Sequence, residues 1–434
     1  MLRGPRKFLL IVCAYFVALL SAMLPLQRAA APETSGKPAE LAPAPVNEVR
    51  AMWVVRTSMT TPEAVTGMVG RAHEAGITDL LVQVRGRGDA YYNSRWEPRA
   101  DSLAAAAPDF DPLRLTTQLA HQQGMKVHAW INTYLVADAK ELPVNRQHAI
   151  YAHPDWLAVP RQLAFELYKG NPKAANYSER LISFTQANGA ELEGLFLSPA
   201  HPAVREQIYN IWIDVLEKYE VDGLHFDYVR YPNPQFDYCR TAVERFRADL
   251  EKSLDAKERA RLAQLAEDDP LIYVSAYPDR YAQFQRDQVT ELVERIYTGV
   301  KARKPAAVVS AAVFSNSSDA YEKRFQDWRQ WMRRGIIDVA CPMAYWTNLD
   351  GFNEQIESAV RNQYGGQVWA GVGSWMLPLE GTLARISSGR RLGATGFVLY
   401  SYNGAITPSE YNPGADYLTR VRDRLQLLAA PAAN

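Results

Sequence analysis

From Val49 onward the chain alternates short apolar runs with longer amphipathic ones, eight times over. Strands are expected at 49–56, 77–85, 125–132, 221–227, 308–314, 336–343, 367–373 and 396–401. Helices are expected at 62–75, 112–123, 202–219, 288–301, 321–334, 352–363 and 379–391, with a closing amphipathic helix at 417–428. Thr61-Pro62 opens one helix and Gly76 and Gly124 close others, the punctuation expected of a capped start and a left-handed end. Strands separated by helices pair in parallel, since each crossover returns the chain to the same end of the sheet. Eight such units predict an α/β fold, a (β/α)8 TIM barrel, with a doubly wound open sheet as the alternative. Two connections are too long for simple crossovers: 133–202 after the third strand and 233–286 after the fourth. Both leave the carboxyl ends of their strands, the face where such barrels place their chemistry, and are candidate walls of a groove.

The barrel is expected to occupy residues 48–434. Ahead of it, Arg3, Arg6 and Lys7 precede an almost wholly apolar run at 8–24, and small residues follow by Ala31. That layout reads as a secretory signal over 1–31, with an uncleaved membrane anchor at 8–24 as the alternative. An exported protein, periplasmic or secreted, is the expectation, with cell-envelope association if the segment is retained. Residues 32–47 are rich in Ala and Pro and read as a linker. Lysine plus arginine (48) equals aspartate plus glutamate (48), so no global field draws nucleic acid. Cys239 and Cys341 are too few for a disulfide framework, and no cysteine or histidine spacing matches a zinc site.

The fourth strand block, Val221 to Pro232, carries the strongest chemical signal. With period two, Leu224 and Phe226 face the helix layer while His225 and Asp227 face the barrel. Asp227 thus ends a strand at the reactive face, followed at once by Tyr228, Arg230 and Tyr231. The second strand delivers Gln83 and Arg85, then a glycine-flanked loop with Asp89, Tyr91 and Tyr92. The third presents His128, Trp130 and Asn132; later strands end in Tyr345-Trp346, Trp375 and Tyr400. One aromatic at a strand end is cheaply explained as core. Tyrosine or tryptophan at strand after strand suits stacking on sugar rings, with Asn and Arg supplying directed hydrogen bonds.

These blocks resemble the glycosyl-hydrolase-like 10 family of bacterial envelope barrels. The resemblance rests on Arg50-Ala51-Met52-Trp53-Val54, Val82-Gln83-Val84-Arg85 with Gly88 to Tyr92, and His128-Ala129-Trp130. It continues through His153-Pro154-Asp155-Trp156-Leu157, Leu197-Ser198-Pro199 with His201 to Arg205, Val221–Pro232, Arg286 to Val289 and Pro342 to Trp346. It implies a (β/α)8 barrel acting on glycan chains, some relatives cleaving peptidoglycan strands stripped of their peptides. The family commonly carries two adjacent aspartates after the fourth-strand Phe; here the second position is Tyr228.

Glycoside hydrolysis normally requires two carboxyl groups, roughly 5 to 9.5 Å apart. Asp227 is the expected principal carboxylate and Asp89 the expected partner, with Asp138, Asp279, Asp319 and Asp350 as alternatives. Arg85, Tyr91, His128, Trp130, Asn132, His225, Arg230, Tyr345, Trp346, Trp375 and Tyr400 are the expected substrate-binding residues. No cofactor is expected and no metal site, because the HxH pair that a first barrel strand would offer is replaced by Met52-Trp53-Val54. Two other readings remain: a barrel that binds glycan without cutting it, and a metal-dependent deacetylase or amidase built on His128, His225, Asp89 and Asp227.

Overall fold

The structure, a computed structural model, describes residues 41–409, 414 and 416–427. It contains ten strands: β1 (Val49–Val54), β2 (Asp79–Arg85), β3 (Lys126–Asn132), β4 (Leu135–Ala137), β5 (Leu195–Phe196), β6 (Gly223–Asp227), β7 (Val308–Val313), β8 (Val339–Pro342), β9 (Gln367–Val372) and β10 (Gly396–Tyr400). Eight close into a barrel in the order β1-β10-β9-β8-β7-β6-β3-β2, every pair parallel, while β4 and β5 form a small antiparallel ribbon. The architecture is the expected (β/α)8 barrel. Several strands begin later than the apolar pattern implied. Ile77, Val221 and Ile336 are buried but precede their ladders, because burial under the helix layer begins before pairing does.

Side-chain alternation sorts the core into two layers. Ala51, Trp53, Leu81, Trp130, Cys341 and Trp369 point inward and help fill the lumen, so the barrel is a packed core rather than a channel. Leu224 and Phe226 point outward, and the Phe226 ring sits 3.9 Å from Trp212 of the helix Pro202–Lys218. A buried contact of this kind is worth about 3–5 kcal/mol on truncation to alanine. Helix starts follow local chemistry. The side chain of Thr61 accepts from Ala64 N–H ahead of Pro62, and that of Asp111 accepts from Arg114 N–H ahead of Pro112.

Two helices depart from the periodic reading. The run expected from 288 starts ten residues earlier, as Pro278–Arg303, because Tyr281 and Phe284 bury against Phe246 on one face of an otherwise polar turn. The run expected at 321–334 is two helices, Ser317–Lys323 and Trp328–Arg334. Phe325 between them adopts a left-handed φ of 51°, and Gln326 turns inward to accept from Phe314 N–H. Cys239 and Cys341 are both free and buried.

The expected signal or anchor (1–31) and residues 32–40 of the linker lie outside the described residues. The linker's last residues are docked: Leu41 is buried, Ala42 N–H donates to Ser387, and Arg390 bridges Ala42 O and Glu48. Among the described residues no helix is long and apolar enough to cross a membrane.

Candidate active site

The carboxyl end of β6 fixes the site. Asp227 is 8% exposed; its Oδ1 accepts from Tyr228 N–H at 2.7 Å and its Oδ2 from Trp130 Nε1–H at 3.1 Å. Tyr228 has a φ of 48°, a strained left-handed conformation for so bulky a residue. The chain leaving β3 holds it there: Thr133 N–H donates to Asp227 O at 2.7 Å and Tyr134 N–H to Tyr228 O. Burial pushes the Asp227 carboxyl up to about 6, against the charge of Arg230 and the two hydrogen bonds, and the nearby charge of Glu193 pushes the same way.

Glu193 was not anticipated. It follows the helix Ala175–Ala187 and stands two residues before β5, where Gly194 adopts a φ of 147°. It meets Arg230 through two parallel contacts, 2.8 and 3.1 Å, with Arg230 itself 3% exposed and lying over the Tyr228 ring. Although burial pushes Glu193 up, Arg230 prevails and holds its carboxyl below the ordinary value. The mouth therefore carries one carboxyl biased toward its acid form and another held ionised. The sequence signal was slight: a Glu-Gly pair just ahead of a short strand, inside a connection of some seventy residues.

Asp89, the expected partner of Asp227, is half-buried on the loop after β2, where its Oδ1 accepts from Arg87 N–H at 2.8 Å as a turn residue does. Asp138 likewise accepts from Lys140 N–H, Asp319 pairs with Lys323 at 2.5 Å, and Asp279 and Asp350 are exposed in the first turns of their helices.

The expected binding residues separate into three groups. Trp130 and Asn132 belong to the mouth as positioners: Asn132 accepts from Trp130 Nε1–H at 2.9 Å and donates to Gly86 O, fixing the indole that holds Asp227. Tyr345, Trp375 and Tyr400 cluster with Trp53, centroids 5.0 to 6.5 Å apart, all edge to face except the tilted Tyr345–Tyr400 pair, and remain partly exposed. The charge of Asp227 reaches both tyrosines of that cluster. Trp346 packs instead on Gly351 at the next helix start.

Five residues are committed to the protein itself. His128 and His225 are fully buried inside the barrel, not at its mouth. His128 Nε2 pairs with Asp79 at the opposite end of β2 (2.9 Å). His225 Nε2 accepts from Trp53 Nε1–H at 3.0 Å, so its Nδ1–H donates to Ser310, and burial, then His128, hold it well below the usual histidine range. Arg85 is saturated by a bidentate pair with Glu97 and by the carbonyls of Asn132 and Thr133. Tyr91 is buried with its hydroxyl on Ser102. Arg230 is committed to Glu193, though it stays beside Asp227. The four residues weighed as a metal set do not converge, and among the described residues no group of three His, Cys, Asp or Glu side chains is placed to hold a metal ion.

The loops after the first two strands supply two further residues: Arg56 just after β1 and Arg87 just after β2. Arg56 donates to Gln83 Oε1 at 3.0 Å, and Gln83 donates in turn to Asn132. Arg87 lies between Gly86 and Gly88, its carbonyl accepting from His148 Nε2–H at 2.7 Å.

Comparison with known proteins agrees with this frame. The profile of the family described as glycosyl hydrolase-like 10 matches residues 48–368. Glycosyl hydrolase YngK of Bacillus subtilis (strain 168) is 24% identical over 64% of this chain and 47% of its own length. Glycosyl hydrolase DigH of Escherichia coli (strain K12) is 25% identical over 70% of this chain and 62% of its own length. The chain thus spans about half to three-fifths of these relatives. Among solved structures, the glycoside hydrolase domain of PgaB (BpsB) from Bordetella bronchiseptica superposes with a TM-score of 0.55 at 16% identity, covering 86% of this chain and 99% of that one.

Proposed function

The chain belongs to the glycosyl hydrolase-like 10 family, and from that premise we propose that it is an exported glycoside hydrolase acting on peptidoglycan-type glycan strands. The observation that carries the proposal is the pair of mouth carboxyls pushed in opposite directions, Asp227 upward and Glu193 downward. Two carboxyls whose environments separate their proton affinities are what acid-assisted cleavage of a glycosidic bond requires. Asp227 is the proton donor to the leaving oxygen. Glu193 supplies the ionised partner, its negative charge favouring the positive charge that develops on the sugar ring. Tyr345, Trp375 and Tyr400 offer ring faces and edges to the sugars. Asp89 is the alternative partner, and comparing Glu193→Gln with Asp89→Asn separates the two. Export is supported by the basic and apolar amino terminus; the mass of the mature protein recovered from the envelope tests it.

Product analysis by mass spectrometry on peptide-free peptidoglycan strands, set against neutral polysaccharides, tests the substrate class. Release from the neutral glycans alone overturns it. A non-catalytic glycan-binding barrel is the second reading, favoured by one observation: both Glu193 oxygens are engaged by Arg230. Saturable binding without products over long incubation decides for it.

A further inference from the structure

Two arginines of the mouth region are closed by carboxylates, one is held by a carbonyl and a ring, and two are left more open. Arg85 is closed by Glu97 and Arg230 by Glu193, each with bidentate geometry, while Arg324 donates to Pro232 O and covers Phe314. Arg87 and Arg56 have no carboxylate within ion-pair distance among the described residues. The Arg87 Nε is buried without a hydrogen-bond partner, and its Nη1 reaches only the carbonyl of Gly86, at 3.3 Å. Arg56 donates to the Gln83 amide oxygen with both its backbone N–H and its guanidinium, and its side chain also meets the Tyr91 hydroxyl, which is not an anion. Asp138 and Asp89 offset Arg87 only from beyond ion-pair distance while Arg56 opposes it, so two neighbouring guanidinium groups without a direct counter-ion are costly unless something else supplies one.

The two side chains are held in place rather than loose. The Arg56 side chain crosses the backbone at Gly86 so closely that a Cβ there would lie 2.4 Å from it. Gly88, at a φ of 70°, is pressed against Val136 and His148, where a Cβ would fall within 2.8 Å of both. Arg87 N–H donates to Asp89 and its carbonyl accepts from His148, so the loop is pinned on both sides of the guanidinium. A continuous set of hydrogen bonds runs from Arg56 through Gln83 to Asn132, which also accepts from Trp130, the donor to Asp227. On the Tyr400 hydroxyl, burial and then the charge of Asp227 push the pKa up, while the charges of Arg87 and Arg56 oppose them.

We propose that Arg87 and Arg56 form a subsite for a carboxylate carried by the glycan, one or two sugars from the bond beside Asp227. Guanidinium forks suit planar carboxylates, and a pre-positioned pair selects an anionic sugar over a neutral one. The ligand class is an acidic glycan, its carboxylate either a lactyl ether on an amino sugar or the C6 acid of a uronic acid. The assignment rests on the glycan-hydrolase reading of the site but is testable apart from it.

The test uses the full chain and four glycans: peptide-free peptidoglycan strands, the same strands with the carboxylates converted to methyl amides, a polyuronate, and a neutral polysaccharide. Wild type is expected to prefer the acidic strands to the amidated ones by about 10- to 100-fold in kcat/KM, the scale of one charge-assisted hydrogen bond or two. Arg87→Gln and Arg56→Gln should each raise KM for the acidic strands and so bring the acidic-to-amidated ratio toward one. Both variants should melt no lower than wild type, since each relieves a like-charge contact; a structural arginine would behave oppositely. Preference for the polyuronate with the same arginine dependence supports the subsite and assigns it to a uronic acid. An unchanged acidic-to-amidated ratio in both variants overturns the inference while leaving the hydrolase reading intact. If wild type cleaves none of the four, the hydrolase reading fails, and calorimetric binding decides this one: affinity for acidic strands that falls at least tenfold in Arg87→Gln supports it, and equal affinity for acidic and amidated strands overturns it.

Discussion

Asp227→Asn removes a charge from a buried carboxyl and leaves its shape almost unaltered, so its effects on chemistry and on stability are expected to have opposite signs. The pKa of Asp227 rises from 3.8 to about 6 on folding. At about 1.36 kcal/mol per unit, ionising this side chain inside the folded protein costs up to about 3 kcal/mol. The folded state binds the proton more tightly than the unfolded state, so this group's contribution falls as pH rises from about 4 to about 6, then stays level. Asparagine resembles the protonated acid: its oxygen takes one of the two donors, Tyr228 N–H or Trp130 Nε1–H. The variant should therefore be more stable than wild type at pH 8, by up to about 3 kcal/mol, and should lack the decline between pH 4 and 6. Its kcat should fall by about 10²- to 10⁴-fold, the usual contribution of a general acid, with KM little changed. Urea unfolding at pH 4.5 and pH 8, with kinetics on a cleavable glycan, measures both. A kcat within tenfold of wild type, or a variant less stable than wild type at pH 8, refutes the reasoning.

Glu193→Gln leaves Arg230 buried without its counter-charge, so it should destabilise by about 3–5 kcal/mol in urea unfolding. Because the Glu193 charge raises Asp227, the same variant should shift the alkaline limb of activity to lower pH, read from the rate profile. Asp237 is a second buried carboxyl pushed up to about 6, by burial against its hydrogen bond to Ser198, and it sits at a φ of 71° that asparagine tolerates well. Asp237→Asn should gain up to about 3 kcal/mol at pH 8 by the same arithmetic, without loss of activity, checked by urea unfolding and turnover.

Most of the barrel could be read directly, because a parallel barrel repeats one signal eight times: an apolar strand, a capped helix, a return. The reading weakened where the signal was tertiary. In 278–287 Pro278 and Asp279 suit a helix start, but the apolar spacing does not carry it, since Tyr281 and Phe284 become an apolar face only against Phe246. At the site, period two identified which side chains face inward but not how far up the barrel they sit. His225 and Asp227 share a face, yet two residues of strand separate them by roughly 6–7 Å, enough to put the histidine in the packed lumen and the aspartate at the mouth. Arg85 and Arg87 read alike in the chain; only the folded loop shows that Glu97 closes one and leaves the other open. Glu193 was hidden because its place depends on how the excursion after β3 folds back onto β6.

The proposed hydrolysis turns on Asp227 acting as the acid at the barrel mouth. The pH dependence of kcat/KM for wild type, measured on a glycan that it cleaves, tests this most directly, since that parameter reports the free enzyme. A descending limb with an apparent pKa near 6, falling about tenfold per pH unit above it, is the predicted result. A rate that stays level or rises from pH 5 to pH 8 would contradict it.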